Sequence, residues 1–138
     1  KPQKKKLLKS IRTLYSTVSR HSKRESKCLR SRRKAASTRI RLAKELAAGS
    51  SRDLRKHVPD TARICNTPYC RKTSVKSVLG AVKRNLRKLN AFSRQAQLAD
   101  IKYCGKSPYG GQGSRAAAGS FKDASSVLRR MPEQRCDN

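Results

Sequence analysis

Positive charge sets the terms on which this chain can fold. Its 138 residues include 36 Lys or Arg and 8 Asp or Glu, a formal charge of +28. In a compact body such charges lie within a Debye length of about 8 to 10 Å of one another, so their repulsion opposes collapse unless counter-charge is supplied. A polyanion is therefore expected to be part of the folded state, with the chain ordering as it binds. Apolar residues make up only 35%, there is no Trp, and the rings are Tyr15, Tyr69, Phe92, Tyr103, Tyr109 and Phe121. Such a composition predicts little independent core.

The charge is concentrated in two blocks. Lys1 to Lys44 carries 17 basic residues against Glu25 alone, and Arg71 to Arg94 carries eight with no acid. In the first block Leu7, Leu8, Ile11, Leu14, Tyr15 and Val18 recur every three or four residues, the signature of a helix with one apolar stripe. The pattern continues through Cys28, Leu29, Ala36, Ile40, Ala43 and Leu46 to Gly49, a suitable C-cap. Unbroken, residues 4–48 would form a rod about 65 Å long. Ser50 or Ser51 could cap a short turn ended by Pro59, and residues 60–68 read as irregular connection. Val75, Val78, Leu79, Val82, Leu86, Leu89 and Phe92 define a second stripe, opposite Lys76, Lys83, Arg84, Arg87 and Lys88. Gly105 to Gly113 reads as a loop. Ser120 and Asp123 form a capping box for a short helix stopped by Pro132.

The expected fold is all-α and extended. Residues 1–49 form a long basic helix, 50–72 an irregular connection with a cysteine pair, 73–101 an amphipathic basic helix, and 102–138 a Gly-rich loop with a short C-terminal helix. No segment alternates as a strand would, and no run approaches the roughly 18 apolar residues of a membrane span. The chain starts at Lys rather than Met, so an upstream piece is expected to have been removed or not included.

Catalytic constellations are missing, and no enzyme is expected. Histidines occur only at His21 and His57, both read as surface or RNA-facing, and the carboxylates are dispersed. Gly105-Lys106-Ser107 ends like a phosphate-binding loop, yet Asp100 stands where its first glycine belongs. Gly111-x-Gly113-x-x-Ala116 follows no strand, so neither nucleotide motif holds. The five cysteines, Cys28, Cys65, Cys70, Cys104 and Cys136, are odd in number and irregularly spaced, which points to thiols in a reducing compartment. Cys65 and Cys70 around Pro68 have the spacing of half a zinc site. Cys104, with Cys136 or His57, would complete it, and no other cofactor is implied.

The informative pattern is cationic. Lys4, Lys5, Lys6, Arg20, Lys23, Arg24, Lys27, Arg30, Arg32, Arg33, Lys34, Arg39 and Arg41 from the first block are the candidate phosphate-binding residues, with Lys83, Arg84, Arg87 and Lys88 from the second. A solvated charged face normally mixes both signs, and this one does not. Tyr69, Tyr103 and Tyr109 fall near basic residues, where rings can stack on unpaired bases or pack on a partner protein.

Taken together, the long basic helix, the second amphipathic basic helix, the Gly-rich loop and cysteines without a catalytic set resemble the small basic helical proteins of ribosomes, those of mitochondrial ribosomes in particular. Leu14-Tyr15 is similar to the start of the LYR signature, but Ser16 replaces its Arg and nothing is carried over. The ribosomal resemblance implies a structural constituent of a ribosome. Its partners would be rRNA and neighbouring ribosomal proteins, with no membrane and no small-molecule substrate. A chromatin or nucleic-acid packaging protein and a ribosome-biogenesis factor are the alternatives, and a redox or metal enzyme would require Cys65, Cys70 and Cys104 to converge.

Overall fold

The computed structural model describes residues 3–58 and 73–135. Among them there are four long helices and no strand: α1 (Gln3–Cys28), α2 (Arg33–His57), α3 (Thr73–Cys104) and α4 (Gly110–Arg135), with a single 3-10 turn at Arg30–Arg32 between α1 and α2. The all-α expectation holds. The long rod does not, because Leu29 leaves helical geometry at φ −142° and ψ 109°. Its N–H still reaches the Glu25 carbonyl at 3.1 Å, while the Arg32 N–H turns back to the Leu29 carbonyl at 2.9 Å. The chain thus reverses, and α2 returns along α1.

Contacts along the helices fix an up-down-up-down bundle. Leu8, Ile11 and Tyr15 of α1 share a groove with Ala47, Ser51 and Arg55 of α2, and Asn85 of α3 donates to Ser50 of α2 at 3.0 Å. Ser114 of α4 bonds to Gln97 of α3. α1 and α3 run parallel and pack directly on each other, and α2 and α4 each lie against both.

All four helices contribute to one core. Leu7, Ile11, Leu14 and Val18 of α1 meet Ala43, Leu54 and Val58 of α2, Leu79, Val82, Leu86 and Leu89 of α3, and Ala117, Ala124, Val127, Leu128 and Met131 of α4. This corrects the expectation of an extended chain with little core. Small residues account for the difference: Ser10, Thr17, Ser22, Ser50 and Ser93 are buried beside the alanines and let the helices approach closely. The buried hydroxyl of Thr17 donates to its own helix at the Thr13 carbonyl, 3.0 Å away, so burying it strands no donor.

Helix ends also differ from expectation. α2 continues through Gly49 to His57, because burying Leu54 and Val58 outweighs the roughly 1 kcal/mol that an interior glycine costs. Val58 is extended at φ −117° and ψ 129°, as the residue before a proline prefers. α3 stops at Gly105, whose φ of +74° suits a residue without Cβ. The turn to α4 closes with the Gly110 N–H on the Ser107 carbonyl at 3.2 Å, again at a positive φ of +60°. Residues 105–109 form the expected loop, while Gly110 to Gly113 are the first turn of α4. Ser120 and Asp123 lie inside α4, a long C-terminal helix that passes Pro132 and ends at Arg135. Pro132 has no N–H to offer the Leu128 carbonyl, so running past it costs the helix one hydrogen bond.

Leu86, 1% exposed at the centre of this core, provides a test. Leu86→Ala is expected to lower the unfolding free energy by about 2 to 5 kcal/mol, measured by urea titration of helical circular dichroism. A loss below that range would mean the described core does not hold the chain together.

Candidate nucleic-acid interface

Where the apolar stripes run out, ionic groups continue them. The inner face of α1 passes from Val18 to His21, Ser22 and Glu25, and that of α3 passes from Leu89 to Ser93, Ala96 and Asp100. Glu25 and Asp100 are both fully buried. A carboxylate in such a place requires hydrogen-bonding or cationic partners, and each has two side-chain partners. Arg39 of α2 donates to Glu25 Oε1 at 2.5 Å and to Ser22 Oγ at 3.2 Å, while Arg32 Nε donates to Oε2 at 3.1 Å. Arg24 donates to Asp100 Oδ1 at 2.8 Å, and His21 Nδ1 donates to Oδ2 at 2.6 Å.

The second guanidinium nitrogen of Arg24 reaches the carbonyls of Cys104 at 3.0 Å and Lys106 at 3.2 Å. It thereby caps the C-terminus of α3, whose last carbonyls lack helical partners. Next to it Cys28 and Cys104 form a disulfide, Cα to Cα 5.3 Å, that ties the ends of α1 and α3 together. His21 is 2% exposed and lies edge-on to the Tyr109 ring, centroids 5.1 Å apart. Its Nε2 has no hydrogen-bond partner among the described residues. The expectation of a surface or RNA-facing His21 is corrected accordingly.

Three of the candidate phosphate-binding arginines therefore serve the interior. Arg39 is buried, and Arg24 and Arg32 are half-buried on carboxylates. Sequence spacing missed this role because it treated the segment from Arg20 to Lys34 as uniformly cationic. A signal was nevertheless available. Glu25 is the sole acid of its block, and it falls on the continuation of the apolar stripe, as Asp100 does on α3.

No known protein family, curated protein or solved structure matches this chain.

The remaining candidates face outward. Lys5, Lys6, Arg20, Lys23, Lys27, Arg30, Arg33, Lys34, Arg41, Lys83, Arg84, Arg87 and Lys88 are exposed, and Lys4 is half-buried. Lys23, Lys27, Arg30 and Arg33 gather at the bundle end where α1 stops and α2 starts. Lys83, Arg84, Arg87 and Lys88 line the outer side of α3. Two rings proposed for stacking are already covered by cations: the Arg20 guanidinium lies 5.0 Å from the Tyr109 centroid and that of Arg32 lies 4.9 Å from the Tyr103 centroid. Tyr69 is outside the described residues. Between α2 and α3 runs an open groove lined by Ser31, Lys34, Ala35, Thr38, Arg39, Leu42, Phe92 and Gln95.

The zinc expectation needs correcting at Cys104. Its sulfur is bonded to Cys28, so it is not a thiolate ligand here. It also ends the 32-residue α3, about 46 Å from Thr73 at 1.5 Å per residue. Cys65, Cys70 and Cys136 lie outside the described residues. Among the described residues, no His, Cys, Asp and Glu cluster could hold a metal.

Breaking a buried pair costs far more than breaking an exposed one. Glu25→Gln, which leaves Arg39 uncompensated, is expected to destabilise by about 3 to 5 kcal/mol. Glu45→Gln, which removes the exposed Arg41 pair at 3.5 Å, should cost under about 1 kcal/mol. Equal midpoints in a denaturant series would contradict the buried network. Reducing the disulfide, whose partners are 76 residues apart, is expected to cost about 4 kcal/mol in the chain-entropy description. The check is a thermal melt with and without reductant, with Cys28→Ser as the unresponsive control.

Proposed function

We propose that this chain binds the phosphate backbone of RNA and serves as a structural constituent of a ribosome. The observation that carries the reading is the placement of charge. Two of its few carboxylates, Glu25 and Asp100, are consumed inside the bundle, so the exterior is more one-sidedly cationic than the composition suggests. A surface of exposed Lys and Arg with so few acids repels copies of itself and attracts polyanions, and its arginines can pair bidentately with phosphate. The compact bundle presents this surface on several sides, as a wedge between RNA segments would require. Leu98 and Ile101, 66% and 54% exposed on α3, are the apolar surface offered to neighbouring proteins.

A second reading has one observation in its favour. A bundle with its own core and internal ion pairs suits a factor that must persist off the particle, so a ribosome-biogenesis role remains the alternative.

Phosphate contacts dominate affinity and release counterions on binding. Binding of the full chain to ribosomal RNA should therefore weaken about a thousandfold between roughly 50 and 200 mM salt, if six or more phosphates are engaged. Fluorescence anisotropy across a salt series measures this, and co-sedimentation with ribosomal particles tests the cellular partner. A shallow salt dependence would refute the proposal.

A further inference from the structure

We propose that the groove between α2 and α3 accepts an unpaired nucleobase of the bound strand, an inference that rests on the phosphate-binding reading above. The groove has an apolar floor inside a cationic surface. Ala35 and Leu42 of α2 and Phe92 of α3 form the floor, and Ser31, Thr38 and Gln95 supply hydrogen-bonding groups along it. Phe92 is half-buried: it packs against the core cluster and also lines the groove. Tyr103 and Tyr109 are covered by arginines, whereas among the described residues no cation lies over the Phe92 ring.

Cations line the groove on α2 and continue along α3 beyond it. Lys34 lines the α2 side, with exposed Arg41 two turns further along the same face. Lys88 is exposed one turn before Phe92 on α3, beyond the residues that line the groove. Glu45 is the acid at this rim, and Arg41 is paired with it at 3.5 Å. An occupant that satisfies a flat apolar floor, a few polar groups and flanking positive charge must itself be flat, partly polar and flanked by anions. An unpaired nucleotide within an RNA strand has that chemistry. Bases held in a duplex do not expose their faces, which confines this recognition to loops, bulges and single strands.

The test compares a fluorescent oligouridylate of about 12 nucleotides, within the usual single-strand site size, with an RNA duplex of the same length, at matched salt. Two full-length variants are used. Phe92→Leu keeps most of the apolar volume but removes the flat ring, and Ala35→Leu fills the groove without removing a contact. Thermal melts establish that both fold. Wild type is expected to prefer the single strand. Each variant should lose about tenfold in single-strand affinity, with an unchanged salt slope and unchanged duplex binding. Variants that bind both probes as wild type does overturn the base-binding inference and leave the phosphate reading standing. That is also the result if the groove is instead filled by a segment of a neighbouring protein. Wild type that binds neither probe with a steep salt dependence removes both readings together.

Discussion

The rest of the molecule depends on the burial of two carboxylates against arginine. Glu25 draws Arg39 and Arg32 from α2 and the preceding turn onto α1, and Asp100 draws Arg24 and His21 of α1 onto α3. These pairs lie at the end of the bundle where apolar residues are scarce and side chains are small. Desolvating such ions is expensive, and replacement by well-packed apolar residues often costs nothing in stability. What ion pairs add is selectivity among packings: a helix shifted by one turn would strand a buried charge, which an all-leucine seam would tolerate.

This arrangement divides the arginines into two populations with different work. Arg24, Arg32 and Arg39 neutralise the interior, and their loss would be felt in folding. Arg30, Arg33, Arg84 and Arg87 face solvent, and their loss would be felt in partner binding. The interior of the bundle is close to charge-balanced while its surface is not. Self-repulsion therefore acts mainly between side chains that point away from one another, which reconciles a formal charge of +28 with a packed core.

Helix content was legible in the sequence because Leu7 to Val18 and Leu79 to Leu89 have a clear three-and-four period. The tertiary arrangement was not. At the closed end the period is carried by Ser22, Glu25, Ser93 and Asp100, residue types that a hydrophobic pattern passes over. The break at Leu29 has no proline or glycine to announce it. Gly49 and Pro132 announce breaks that the helices nevertheless run past. For the candidate interface, the exposed lysines and arginines were legible from charge alone. The buried arginines became visible only once their carboxylate partners had been placed in space, because those partners lie up to 76 residues away in the chain.

The Cys28–Cys104 bond has a topological consequence. It closes a covalent ring that contains α2, the connection to α3, and α3 itself, while α1 up to Cys28 and all of α4 hang outside it as tails. A protease that cuts the ring once, for example in the connection between His57 and Thr73, opens the loop but leaves both pieces on a single molecule. A cut before α4 instead releases that helix as soon as its packing lets go. Digestion followed by electrophoresis without reductant would then retain the ring and shed only the tails.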